Sequence, residues 1–207
     1  MLRSFVRWCG LLLLGSLLLM SLASFVAPSR SPAFGRSPLS SHQMTVVVFP
    51  ASTSSVIGGP SLSAAFIDRV LATYHSPAVG LGRALVADSQ QFQIDDSYAL
   101  AFFLHESSFG TTGVARVTRS LGNIICSGYP TCFQGFRSYA SWQAGAWDWF
   151  RLIRYEYLPR GLSTVQAIVP VYAPASDHND VPAYIAAVLQ AVTTWRAGRV
   201  WVSSEVS

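Results

Sequence analysis

The sequence predicts a mainly α-helical domain that follows an apolar N-terminal segment and a Ser/Pro-rich linker. Three observations predict it. From residue 61 onward, apolar residues recur at helical spacing, and Ser, Thr or Asp stands where most of these segments begin. Between Pro28 and Pro60 the composition shifts to Ser, Pro, Gly and Ala with repeated Ser-Pro pairs, which reads as an extended linker. Before that, Trp8 to Val26 is apolar and free of charge.

The apolar start has the layout of an export signal. Arg3 and Arg7 form a positive n-region, and Ser21-Leu22-Ala23 offers small residues for a signal peptidase. The run of about 18 residues would equally serve as an uncleaved anchor, with the membrane engaged through residues 8–26. Both readings export the rest of the chain. The sequence therefore divides into 1–27 (signal peptide or anchor), 28–60 (linker, with a short strand conceivable at Thr45–Phe49), 61–198 (folded domain) and 199–207 (a loose tail).

Of the 207 residues, 51% are hydrophobic and 12% charged, so a substantial core is available. The net charge is +4, and all 14 basic residues are arginine. The surplus is scattered and too small for a nucleic-acid footprint, although a mildly basic surface suits a polyanionic partner such as a cell wall. In an oxidising compartment Cys126 and Cys132 are expected to pair, stabilising the fold by roughly 2 kcal/mol. Two sulfurs without a nearby His pair do not complete a zinc shell. No metal or cofactor is expected, and a monomer is the expectation.

Element by element, Ser61 or Ser63 caps a helix carrying Phe66, Ile67, Val70, Leu71 and Tyr74. After a turn at Ser76-Pro77, a second helix covers about Val79 to Gln90. Asp95 or Asp96 caps a helix that is apolar on nearly all sides (Tyr98, Leu100, Phe102, Phe103, Leu104) and ends near Glu106, so it should be the buried central helix. Residues 107–137 are rich in Gly, Ser and Thr. An excursion this long in a compact domain is usually functional. Ser138 caps an aromatic helix with Trp142, Ala146, Trp149, Phe150 and Ile153 on one face. Ser163-Thr164-Val165-Gln166 is a capping box whose helix runs into Pro170-Val171-Tyr172. Asp180 and Pro182 open a last helix, which reaches Trp195 and stops at Gly198.

Acids are scarce enough to enumerate. Glutamate occurs only at 106, 156 and 205. Glu205 lies in the tail and Glu156 on an exposed turn, so Glu106 is the one glutamate placed beside a core. Burial disfavours a carboxylate anion, which would raise its pKa toward neutrality and suit it to general-acid work. Two polar clusters could meet it: the 120–126 segment, and Tyr172 through Asp180. Within the second, Asp180 reads first as a helix cap, whereas Asp177 and Asn179 divide between turn formation and a role in the site. His105 and His178 read as hydrogen-bonded structure, and Trp142, Trp147 and Trp149 as mostly core.

These residues carry a resemblance. Glu106-Ser107-Ser108-Phe109-Gly110-Thr111-Thr112-Gly113 resembles the catalytic motif of the lysozyme-like bacterial glucosaminidases, a family of peptidoglycan hydrolases, and lytic transglycosylases share its Glu-Ser-x-Phe pattern. Ser120-Leu121-Gly122-Asn123-Ile124, Phe136-Arg137-Ser138-Tyr139 and Tyr172-Ala173-Pro174 with Asp177 to Tyr184 resemble further motifs of that family in the same order, over about Ser63 to Arg196. The resemblance implies a lysozyme-like helical domain with a small irregular or β-hairpin lobe, acting on peptidoglycan glycan strands next to N-acetylglucosamine. It implies Glu106 as general acid, with Tyr172 and Asp177 beside it in the catalytic set. Ser107, Gly122, Asn123, Phe136, Asn179 and Tyr184 would line the substrate. The family's assisting carboxylate lies in or near the lobe between the first two motifs, where this chain has no acid. A lytic transglycosylase using the same Glu106, and a non-catalytic wall-binding module, are the alternatives.

Overall fold

A computed structural model describes residues 54–203. The apolar run, the expected strand at 45–49 and the end of the tail lie outside the described residues. Among the described residues no helix is long and apolar enough to cross a membrane.

The expected mainly helical architecture is present. Seven α-helices follow in order: α1 (Ala64–Thr73), α2 (Gly82–Phe92), α3 (Asp96–Ser107), the short α4 (Ala115–Thr118), α5 (Trp142–Leu152), α6 (Val165–Tyr172) and α7 (Val181–Arg196). A minimal hairpin, β1 (Cys132–Phe133) with β2 (Phe136–Arg137), pairs Cys132 with Arg137 and Phe133 with Phe136 in antiparallel register. Cys126 and Cys132 form the expected disulfide across the base of this lobe.

Helix α3 is the central element. Every residue from Asp96 to Phe103 is buried, and α7 packs along it while α2 and α5 close the other side. A helix apolar on all faces finds no water-facing side, so it settles where neighbours surround it. Phe102 and Phe103 both meet the Trp149 ring, with centroids 5.2 and 5.5 Å away. Of the two aspartates that could cap α3, Asp95 does so, accepting from the Ser97 amide at 2.9 Å. Its carboxylate also receives the Ser61 hydroxyl at 2.6 Å and the Arg196 guanidinium at 2.6 Å, joining both ends of the domain to the start of α3. The cap of α1 is Ser63, and Asp180 caps α7 as expected.

Several expected boundaries move. The fold extends N-terminal of Ser61, to Ser54 at least: Val56 is fully buried, and residues 54–58 bridge to Thr164 and Ile94 in two antiparallel contacts. The Ser/Gly/Pro composition around them concealed a short strap whose backbone bonds are made by the starts of α3 and α6. The tail is ordered as far as Ser203, because Trp201 stacks on Tyr74 at 4.8 Å and the Val202 amide donates to the Tyr74 hydroxyl. Helix α2 starts at Gly82, three residues later than expected, and runs on to Phe92. Helix α5 is capped by Ser141, because Ser138 is held in extended backbone by its amide bond to the Thr131 carbonyl. Helix α6 is capped by Thr164, not Ser163. Beyond α5 the chain continues as a π-helical turn, Ile153–Tyr157, and a 3₁₀ turn, Leu158–Arg160.

Burial also leaves two carboxyl groups uneasy. Asp88 and Asp96 are each pushed up to about 6 by desolvation, and each has an Oδ2 with no hydrogen-bond partner. A carboxyl with a raised folded-state pKa binds its proton more tightly in the folded than in the unfolded chain, so stability falls as pH rises from about 4 through 6. Asp88→Asn is therefore expected to stabilise the domain by about 2 kcal/mol at pH 7.5. The gain should shrink steadily toward pH 4 in thermal melts; a gain that does not vary with pH would contradict this assignment.

Candidate active site

Helix α3 ends immediately after Glu106, and the way it ends builds the site. Ser108, Phe109 and Gly110 follow with φ of 47°, 56° and 84°, three successive left-handed residues that turn the chain sharply out of the helix. Two of them carry side chains in this uncommon region, so neighbours must hold the turn in place. Phe109 is fully buried, edge-on to Tyr74, and the Ser76 hydroxyl donates to its carbonyl at 2.7 Å. A Cβ on Gly110 would stand 2.5 Å from the Trp142 ring, so only glycine fits there.

Ser107 holds the turn from inside. Its hydroxyl accepts from the Gly110 amide at 2.9 Å and donates to the Leu121 carbonyl at 2.8 Å. Ser107 is buried, so the expectation that it lines the substrate is corrected: its polar capacity is used in tying the 120–124 segment to the end of α3. Asn123 completes the tie by donating its side-chain amide to the Glu106 carbonyl at 2.7 Å. Gly122 is likewise buried and not a wall of the cleft. A Cβ there would lie 2.6 Å from Trp149 and 2.7 Å from the Tyr172 hydroxyl, which donates to the Gly122 carbonyl.

A cleft of about 270 Å³ opens beside this junction. Its walls include Glu106, Asn123, Phe136, Tyr172, Asp177 and Asn179, six of the residues singled out in the sequence, together with Ile125 and Ala173. They arrive from four places: the end of α3, the 120–125 segment, the hairpin, and the end of α6 with the loop after it. Tyr184 is brought to the same carboxyl but from behind. It is buried, and its hydroxyl donates to Glu106 Oε1 at 2.6 Å, so it partners the carboxyl and does not contact substrate as expected. Its ring stacks on His105 at 3.7 Å and packs against Phe102.

The electrostatics of the cleft are uneven. Burial pushes the Glu106 carboxyl up to about 7, although hydrogen bonds from Tyr184 and Asn123 pull the other way. Asp177, the other carboxyl on the walls, is exposed to water, with the Ser176 hydroxyl 3.3 Å away; Asn179 donates to the Pro174 carbonyl. The Asn123 Oδ1 is buried without a hydrogen-bond partner. Among the described residues no cluster of His, Cys, Asp and Glu could hold a metal.

Sequence reasoning missed the group that holds the hairpin. Asp148, buried on α5, receives Arg137 at 2.9 Å, Arg151 at 2.7 Å and the Tyr139 hydroxyl at 2.8 Å. Burial alone would raise the Asp148 pKa, but these three donors outweigh it and hold the group below the usual carboxylate range. Its position among Trp147, Trp149 and Phe150 was the available signal, since an acid inside an aromatic helix needs partners.

Tyr184→Phe removes a donor that favours the Glu106 anion, so titration of Glu106 by NMR should move upward from about 7, and an unchanged value would sink the pairing. Gly122→Ala should displace the Tyr172 hydroxyl and cost about 1–3 kcal/mol of stability by overpacking, read by denaturant unfolding. No family model matches the chain, and no curated protein is significantly similar to it, so the chemistry of the cleft is read from its own geometry.

Proposed function

We propose that this chain is an exported peptidoglycan hydrolase that cleaves β-1,4 glycosidic bonds next to N-acetylglucosamine, with Glu106 as general acid. The observation that carries this reading is the Glu106 carboxyl itself, a wall of an open cleft yet desolvated enough to keep a proton near pH 7. The disulfide supports an exported role, as does the apolar N-terminal run. The order of motifs shared with lysozyme-like glucosaminidases supports the substrate class.

In the proposed reaction the Glu106 proton passes to the glycosidic oxygen as its bond to the anomeric carbon breaks, leaving oxocarbenium character on the sugar. Water adds to the anomeric carbon, and the proton it loses restores Glu106 directly or through the cleft. Asp177, exposed on the same cleft, orients that water in this reading. No acid stands between Glu106 and Asp148 in the sequence, so Asp177 is the assisting carboxyl in this reading. Its place on the cleft favours hydrolysis over the transglycosylase route, which uses no water. A non-catalytic wall-binding module has no need of a proton-holding carboxyl.

Glu106→Gln should lower turnover of purified peptidoglycan about a thousandfold, the middle of the range for loss of acid–base catalysis, while the protein still binds it. Wild-type kcat/KM should fall as pH rises through about 7, because the acid form is lost. Mass spectrometry should find reducing-end sugars; 1,6-anhydro ends would establish the transglycosylase instead, and no released fragment would remove both.

A further inference from the structure

A second cleft of about 190 Å³ adjoins the first and shares Asn123, Ile125 and Tyr172 with it. Its outer wall comes from the π-helical and 3₁₀ turns after α5, which bring Glu156, Tyr157 and Arg160 to it. A π turn widens the helix by one residue and re-aims the side chains beyond it, and Gly161, with φ of 78°, then ends the helical run. This wall was not legible in the sequence, where Glu156 reads only as an exposed turn residue.

The charges on this side do not cancel. Asp148 is paired with Arg137 and Arg151, and Glu156 lies 3.6 Å from Arg151. Two carboxylates thus answer three guanidiniums, and the one left over is Arg160. Among the described residues Arg160 makes no ion pair; its guanidinium carbon lies 5.9 Å from the centre of the Tyr157 ring. A guanidinium braced on an aromatic face keeps its donor edge available for a planar anion. A sugar ring can meanwhile lie along the exposed Val171 and Ile125 side chains on the walls of this second cleft.

We propose that this second cleft is a carboxylate-binding subsite, in which Arg160 selects glycan bearing carboxylate substituents over neutral β-1,4-linked N-acetylglucosamine polymers. The inference rests on the hydrolase reading of Glu106 and adds to it the feature of the substrate that is recognised. In peptidoglycan the carboxylate has two sources, the lactyl ether of the sugar once its peptide is removed and the stem peptide itself. Bidentate geometry makes the guanidinium, not charge alone, the recognising group.

The full-length wild type, Arg160→Ala and Arg160→Lys are compared on N-acetylglucosamine hexamer, peptide-stripped glycan strands and intact peptidoglycan. Arg160→Ala should reduce the kcat/KM preference for carboxylated over neutral substrate roughly tenfold, mainly through KM, with Arg160→Lys recovering part of it. Loss on stripped strands assigns the lactyl carboxylate, and loss on intact peptidoglycan alone assigns the peptide. An unchanged preference overturns the proposal. Equilibrium binding of stripped strands and of intact peptidoglycan to Glu106→Gln, with and without Arg160→Ala, separates this inference from the hydrolase reading. Binding of either that weakens with salt and needs Arg160 upholds the subsite even if wild type cleaves nothing, whereas equal binding of both without Arg160 overturns it even if cleavage is robust.

Discussion

The hydroxyl of Ser107 is the joint on which the cleft depends. It bonds both the turn leaving α3 and the segment that returns beside it. Those two bonds place Asn123 against the Glu106 carbonyl, and Gly122 under the Tyr172 hydroxyl. Through Tyr172 the constraint reaches the end of α6 and the loop carrying Asp177 and Asn179. A buried hydroxyl with both capacities used is rigid in a way an exposed one is not, because breaking either bond leaves an unpaired polar group inside the protein. The serine of the Glu-Ser pair is thus explained by architecture, and in the proposed reaction the acid is the residue before it.

The balance at Glu106 is a compromise between two effects of the same burial. Enclosure by α3, α7 and the 120–125 segment removes water from the carboxyl and favours its protonated form. Tyr184, reaching across from α7, supplies one strong donor and limits how far that goes. The tyrosine is itself fixed by its stack on His105, so the donor cannot easily turn away. Asp88 and Asp96 are raised by the same kind of desolvation, yet neither lines the cleft. Burial alone therefore does not set Glu106 apart; burial at the wall of an opening does.

What was legible in the sequence follows from the range of the forces involved. Helices α1, α3, α5 and α7 repeat their apolar residues at local spacing, and local spacing is enough to recognise them. The choice of Ser141 over Ser138, and of Thr164 over Ser163, depends on which backbone amide is already engaged elsewhere, a tertiary fact. The strap at 54–58 and the stack of Trp201 on Tyr74 join residues more than 35 apart, beyond any periodicity. At the cleft, Glu106 and its neighbours were recognisable as motifs, but the division of labour among them was not. Ser107, Gly122 and Tyr184 proved to be behind the cleft surface, since a motif gives the order of residues and not which of them faces inward.

The strap also has a mechanical meaning. Residues 54–58 are bonded to the first residues of α6 and the approach to α3, through Val165 to Ser54, Val56 to Ser163 and Asp95 to Val56. Glu106 and Tyr172 lie at the opposite ends of those same helices. With α3 at 12 residues, the point of entry stands about 18 Å along the helix axis from the carboxyl. Any pull applied at Ser54 therefore meets the domain at the rear of these two helices, at the far end from the carboxyl and from the junction at Ser107.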